Sequence, residues 1–523
     1  MKHLLITAVL SLSAVSVRAQ GWEFIEVPFP ARTYATETDR AARRPMGQTP
    51  NIAVPPAIRD AIKNGMKLSL IEMHRLPLAS VKIVFPYAGS ATVDADKEGL
   101  AGLTTAMMTE GTKRLPDRVQ FAEAIADLGG SVGISVDEDK LIVSITSLKK
   151  NLDKAMGLAS EIVREPAFLD GGQNTEQALA RLKQESLQSI KMAKGDPSKK
   201  AGKLLAQRIY PDHPYGRSES EESISSVDSE DVRNFHRRGL RPEGAIIAAA
   251  GDLDMAELKS LADKHFGDWT GTKAFASVRK AAGKAATAAA PKIAEAGAVP
   301  EKAVDWKIDL VDSPGATQSS LRLGHRSVSR SHPDYYAIQV MSRVLGSGAV
   351  GRIEANIRED KNWAYGARSS FDMRKTAGSF VATTEVQTDK TAPAIQEIMK
   401  EIRRIQNEPV PDEELAAVKR FMVGLFLRSN RTVQGVSDMV AGLEANGLSA
   451  DTLSKWVENV QQITPAQVQA AAQKHLRYET IHMVVAGDAS KIYESLSKVA
   501  PVRVLDLDGN EKKDFSGPKK DAS

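Results

Sequence analysis

Two residues seven positions apart, Arg358 and Tyr365, stand out in the stretch IREDKNWAYGARSSF. The pattern predicts a helix through Ile353–Arg358, ended by Asn362, and a strand over Trp363–Phe371. Arg358 then sits in the last helical turn and Tyr365 at the start of the strand. A guanidinium and a phenol held together can bind and polarise a peptide carbonyl. From the residues alone a plainer reading stands beside this one. Arg358 would complement the helix C-terminus and Tyr365 would pack in a core.

Other chemistry is scarce. The nine histidines are His3, His74, His213, His236, His265, His325, His332, His475 and His482. No two are three or four residues apart, so no one helix presents two imidazoles to a metal. Neither H-E-x-x-H nor H-x-x-E-H occurs, and there is no cysteine. A zinc site held by this chain is therefore not expected. Gly346, Gly348 and Gly351 in VLGSGAVGRI precede a helix and could offer amides to an anion, but no Lys-Ser/Thr follows and turn geometry explains them as well. His213-Pro214-Tyr215-Gly216 reads as a turn, and no G-x-S-x-G is present.

The stretch GLAGLTTAMMTEGT has the spacing of a buried helix, with Leu100, Leu103 and Met107 repeating and Met108 one step on. Its remaining positions, Gly102, Thr104, Thr105 and Ala106, carry no titratable group.

The elements around these residues fall into two related halves. IIAAAGDLDMAELKSLADKHFG and MVVAGDASKIYESLSKVA each read as strand, Ala-Gly-Asp, then amphipathic helix. Upstream, LIVSITSLKKNLDKAMGLASEIVREP and GSFVATTEVQTDKTAPAIQEIMKEIRRIQNEP each read as strand, polar turn, and helix stopped by proline. Both matches recur at nearly the same offset, which indicates a duplicated domain of about 220 residues. The expected class is α+β, with antiparallel-rich sheets packed with helices and the halves enclosing a clam-like chamber. We place the halves at 56–270 and 306–505, joined by an Ala/Lys-rich linker over 271–305. Residues 20–55 read as an extended arm and 506–523 as a disordered tail.

The chain of 523 residues begins MKHLLITAVLSLSAVSVRAQGW, a signal peptide over 1–19 with a small-x-small cleavage site. The expected location is periplasmic or secreted, with no integral membrane segment after cleavage. The net charge of +4 comes without a basic stripe interleaved with aromatics, so nucleic acid is not an expected partner.

Taken together, FPYAGSATVDADKEGLAGLTTAMMTEGT, RIYPDHPYGR, PGATQSSLRLGH, VLGSGAVGRIEANIREDKNWAYGA and PDEELAAVKRFMVG resemble, in order, the pitrilysin/insulinase family of inverted-zincin metallopeptidases. The resemblance runs from about Ile58 to about Val499. In catalytic members the helix reads close to GLAHLLEHMLFKGT. By that resemblance the first zinc histidine falls on Gly102, the catalytic glutamate on Thr105 and the second histidine on Ala106. The third ligand falls near Ala180, with Glu185 close by. The resemblance thus implies a chain that has lost its metal site. It also implies that Arg358 and Tyr365 contact substrate, the tyrosine hydroxyl stabilising the oxyanion. The implied assembly is a heterodimer whose H-x-x-E-H partner holds the zinc and acts on peptides. Two alternatives remain: a scaffolding or peptide-binding pseudoenzyme, and a homodimeric binder of extended peptides.

Overall fold

A computed structural model of the protein describes residues 54–170, 173–270, 307–346 and 351–512. The signal peptide, most of the arm, the linker, Gly348 and the last part of the tail lie outside the described residues.

The first half runs β1 (Ile58–Ala61), β2 (Lys67–Glu72), β3 (Leu78–Phe85), α1 (Leu100–Met107), β4 (Ser131–Val136), β5 (Leu141–Leu148), α2 (Leu152–Arg164), α3 (Gln173–Lys194), α4 (Pro197–Ile209), β6 (Ile246–Gly251) and α5 (Met255–Phe266). The second runs β7 (Ile308–Asp312), β8 (Gln318–Ser327), α6 (Tyr335–Gly346), β9 (Ala364–Met373), β10 (Gly378–Gln387), α7 (Thr391–Asn407), α8 (Asp412–Ser429), α9 (Val433–Ala445), α10 (Pro465–His475), β11 (His482–Gly487), α11 (Ala489–Ser497) and β12 (Val502–Leu505).

Each half builds a six-stranded mixed sheet. The orders are β1-β2-β6-β3-β5-β4 and β12-β7-β11-β8-β10-β9. Five of the six positions match element for element. β2 and β6 pair in parallel, as do β7 and β11, while the β3–β5 and β8–β10 pairs are antiparallel. The sixth position breaks the repeat. β1 enters antiparallel from before β2, whereas β12 enters parallel from the far end of the chain. The Ala-Gly-Asp turns anticipated from sequence end β6 and β11. At Gly251 a side chain has no room, since a Cβ would lie 2.3 Å from the Leu78 carbonyl oxygen.

One face of each sheet is covered by helices of its own half. The opposite face is covered by the other half. α4 lies across β8 and β11 of the second sheet, and α9 lies across β2, β3 and β6 of the first. Two apolar clusters therefore draw on both halves. Ile246, Ala248 and Ala250 pack with Val436, Val440 and Leu443. Ala201, Leu205 and Ile209 pack with Val311, Val484 and Ala486. Polar contacts follow the same crossing: Ser437 Oγ donates to Ser80 Oγ at 2.9 Å, and Arg208 pairs with Asp309 at 2.7 Å. The halves are not free to swing on their linker, because opening them would expose both clusters to water.

Residues 506–512, expected as part of the tail, instead turn back on β12. Lys512 N–H donates to the Val504 carbonyl at 2.9 Å, and Lys512 pairs with Asp312 at 2.7 Å. Among the described residues no helix is long and apolar enough to cross a membrane.

Candidate functional site

The helix before Arg358 is anchored by buried polar groups. The Arg352 guanidinium forms a fork on Glu414, with both contacts at 2.8 Å. One turn later the Asn356 amide donates to Glu397 at 2.8 Å and Glu401 at 2.9 Å. From Ala355 to Asp360, around the second anchor, the backbone widens into a π-turn, an irregularity common at functional sites. Asn362 then ends the helix at φ 54°, the one positive φ outside glycine among the described residues. A short polar side chain tolerates that left-handed conformation.

The strand that follows is irregular too. β9 pairs with β10 through Ala364↔Val386 and Ala367↔Thr384. Tyr365 and Gly366 thus face Glu385 alone, which is a β-bulge. Bulges turn a side chain away from the regular pleat. The Thr384 hydroxyl fixes this one by donating to the Gly366 carbonyl at 2.9 Å. Glu385, opposite the bulge, accepts from Arg322 at 2.8 Å and from Ser198 of the first half at 3.1 Å.

Tyr365 projects from the bulge and is 95% exposed. It does not pack in a core. Arg358 lies beside it, its guanidinium 5.9 Å from the ring centroid, at the edge of cation–π range. Glu354 holds the pair in place. Its Oε1 accepts from Arg358 at 2.8 Å while its Oε2 accepts from the Ala367 N–H at 2.7 Å. The Glu354 hydrogen bond, with Glu359 nearby, raises the Arg358 pKa further above its usual range. Arg358 is charged at any working pH. Glu354 was not singled out from sequence, although its i,i+4 spacing to Arg358 is a readable signal.

The helix α1 carries no equivalent chemistry. It starts from Gly99 at φ 97°. Thr105 Oγ1 donates to its own helix, at the Ala101 carbonyl, 2.8 Å away. Gly102 is exposed, with open space where its side chain would be. Ala180, on the neighbouring α3, is exposed as well. Glu185 is committed to Arg181 at 2.6 Å, and Arg181 also holds Glu110 at 2.6 Å. Gly102, Thr105, Ala106 and Ala180 supply no ligand atoms, so this face does not fit a zinc ion.

Tertiary packing brings together what spacing kept apart. His332, Asp334 and His475 place three ligand-type atoms within 4.8 Å of one another. Asp334 accepts from His475 Nε2 at 2.7 Å and from Lys474 Nζ at 2.8 Å, and His332 Nδ1 accepts the Asp334 N–H at 3.1 Å. With the Lys474 ammonium already on the carboxylate, the trio is a clasp between α10 and the start of α6. The Lys474 ammonium, with the His475 hydrogen bond beside it, holds the Asp334 pKa at about 2.

The His213–Gly216 turn also has a structural partner. The Tyr215 hydroxyl donates to Asp139 and accepts from Thr376 Oγ1 at 2.8 Å, tying the first half to the β9–β10 hairpin of the second. Burial lowers the His213 pKa to about 4.

Comparison with known proteins agrees with this layout. Residues 72–220 match the family model for insulinase (peptidase family M16), and residues 226–422 match the peptidase M16 inactive domain. An uncharacterized zinc protease of Mycobacterium leprae is 22% identical over 83% of this chain and 92% of its own length. A non-peptidase homolog of Helicobacter pylori is 21% identical over 80% of this chain and 91% of its own. A crystal structure of a peptidase M16 inactive domain from Pseudomonas fluorescens superimposes with a TM-score of 0.71. It is 23% identical and covers 82% of this chain and 98% of that one. The duplicated sheets, the helix stripped of metal ligands and the matched models together make this chain a non-catalytic member of peptidase family M16.

Proposed function

We propose that this chain is the non-catalytic subunit of a secreted or periplasmic two-chain zinc endopeptidase. The metal and its general base belong to a partner carrying H-x-x-E-H. This chain contributes Arg358 and Tyr365 in trans. The Tyr365 hydroxyl donates to the oxyanion forming on the scissile carbonyl, and Arg358 holds the adjacent peptide backbone. The observation that carries this reading is the placement of Tyr365. A phenol 95% exposed on a pinned bulge, beside a guanidinium held by a carboxylate, gains nothing from packing. It is arranged for a group that this chain does not itself supply.

The crossed helices support the same reading. They pack the two halves into one body, a rigid face against which a second chain would hold the peptide. The test is peptide hydrolysis by this chain co-purified with the H-x-x-E-H family member encoded nearest to it. Tyr365→Phe is expected to lower kcat about 10²-fold with assembly and KM little changed, the size expected for one lost oxyanion donor. A variant complex that cleaves at the wild-type rate would refute the catalytic role and leave scaffolding as the better account.

A further inference from the structure

The bulge at Tyr365 decides which face of β9 the tyrosine joins. Successive residues of a strand point to opposite faces. Beyond the bulge Ala367, Ser369 and Phe371 are buried, while Arg368, Ser370 and Asp372 are exposed. In an unbroken strand Tyr365 would share the parity of Ala367 and turn inward. The extra residue instead puts it on the exposed face, in one row with Arg368, Ser370 and Asp372. A peptide that meets the Tyr365 hydroxyl therefore passes beside that row.

The backbone edge of β9 offers such a peptide little. The Ala367 N–H is taken by Glu354, and the Phe371 N–H by Ser342 Oγ at 3.2 Å. Strand addition needs those amides free. What this strand presents to a peptide is its side chains.

The charges around the row differ in how they are settled. Asp372 accepts from Arg374 at 2.6 Å. Glu385, diagonal to Arg368 across the strand pair, accepts from Ser198, Ser320 and Arg322 at 3.1, 2.9 and 2.8 Å. Arg358, at the near end, is held by Glu354. Arg368 differs from these: among the described residues it has no hydrogen-bond or salt-bridge partner. An acid directly across the strand pair would settle an arginine on a sheet. Opposite Arg368 stands Thr383, and opposite Ser370 stands Val381. An uncommitted guanidinium thus lies two to three residue rises from Tyr365, roughly 7–10 Å along the strand.

We propose that Arg368 is a specificity residue of the same site, pairing with an acidic side chain of the peptide two or three residues from the bond at which Tyr365 acts. The substrate class is an extended peptide with an aspartate or glutamate at that spacing, since an extended peptide has the same rise per residue as the strand. This proposal rests on the peptidase reading above.

The test uses the co-purified two-chain complex and internally quenched peptides of one otherwise uncharged sequence. A single Glu, Gln or Lys is placed at the second or third position on either side of the scissile bond. At one of these positions Glu is expected to raise kcat/KM about tenfold over Gln, with Lys below both. Arg368→Gln should bring the Glu-to-Gln ratio to about one, and Arg368→Glu should invert it in favour of Lys. A merely structural role for Arg368 would lower all three peptides together and leave the ratios alone. Equal rates for Glu and Gln at every position, or a Glu preference that survives Arg368→Gln, would overturn the proposal. Tyr365→Phe separates the two failures. If it still lowers kcat while the Glu preference is missing, only the role of Arg368 falls. If it has no effect, or no complex cleaves any peptide, the peptidase reading falls and this proposal with it.

Discussion

Glu354 divides its carboxylate between Arg358 and the backbone of the strand that carries Tyr365. One oxygen takes the Arg358 guanidinium at 2.8 Å and the other takes the Ala367 N–H at 2.7 Å. One side chain thus fixes both members of the candidate site, across the irregular turn that separates them. Glu354→Gln keeps the shape and one acceptor but removes the charge. In the proposed two-chain peptidase this change is expected to raise KM about tenfold through loss of Arg358 orientation. Thermal stability should move little, since Arg358 is 47% exposed and such pairs contribute little to folding. Steady-state kinetics on the co-purified complex checks it. An unchanged KM would mean that Glu354 serves the bulge alone.

The crossed helices α4 and α9 make each half complete the other. Leu205 fills the cluster under α4 and Leu443 the cluster under α9. Leu205→Ala and Leu443→Ala should each destabilise by about 2–5 kcal/mol, the usual range for a buried leucine. Calorimetry should show one transition moving down in temperature for both variants. Two transitions, with only one half shifted, would show that the halves fold independently and that the shared clusters are secondary.

Much of this architecture is legible in the residues themselves. IIAAAG and MVVAG are continuous apolar runs, so both central strands are readable as buried on two faces. The spacing of Arg358 and Tyr365, and the chemical blankness around Gly102, are visible without coordinates. The crossing of α4 and α9 is not, because an apolar helix face records that it is buried and not which sheet buries it. The bulge at Tyr365 depends on which residues of β10 stand opposite, a matter of register that local composition does not carry. The meeting of His332 with His475 needs α6 and α10 to pack side by side. The last strand of each sheet shows the same limit: β1 and β12 occupy matching positions yet come from opposite ends of the chain.

The exposed notch at Gly102 leads to a third prediction. Imidazoles at positions 102 and 106 lie one turn apart on the same helical face, and a Cβ at 102 meets nothing. Gly102→His combined with Ala106→His should fold normally and bind Zn²⁺ about tenfold tighter than wild type, measured by competition with a chromophoric chelator. Peptide hydrolysis should stay absent, because Thr105 supplies no general base and Ala180, where the third ligand would fall, supplies no ligand atom. Hydrolysis by the double variant alone would show that another carboxylate reaches this face. Zn²⁺ affinity equal to that of wild type would show that the face of α1 is closed in solution.

Three buried histidines set the response to acid. Burial lowers the pKa of His213, His236 and His325 to about 4, against about 6.5 in an unfolded chain. Between those values the unfolded chain binds more protons than the folded one, so stability rises with pH across this window. It is complete above about pH 6.5 and is lost progressively as pH falls toward 4. The carboxylate clasp at Asp334, with its pKa held at about 2, stays charged through that range and adds its own loss only at lower pH. Urea titrations at steps from pH 7.5 to 4 should show this slope, and His236→Gln should flatten it. The glutamine amide can still donate to the Val163 carbonyl that His236 Nε2 now contacts at 2.9 Å, and it has no proton to gain. A slope unchanged by that substitution would assign acid sensitivity to the surface carboxylates instead.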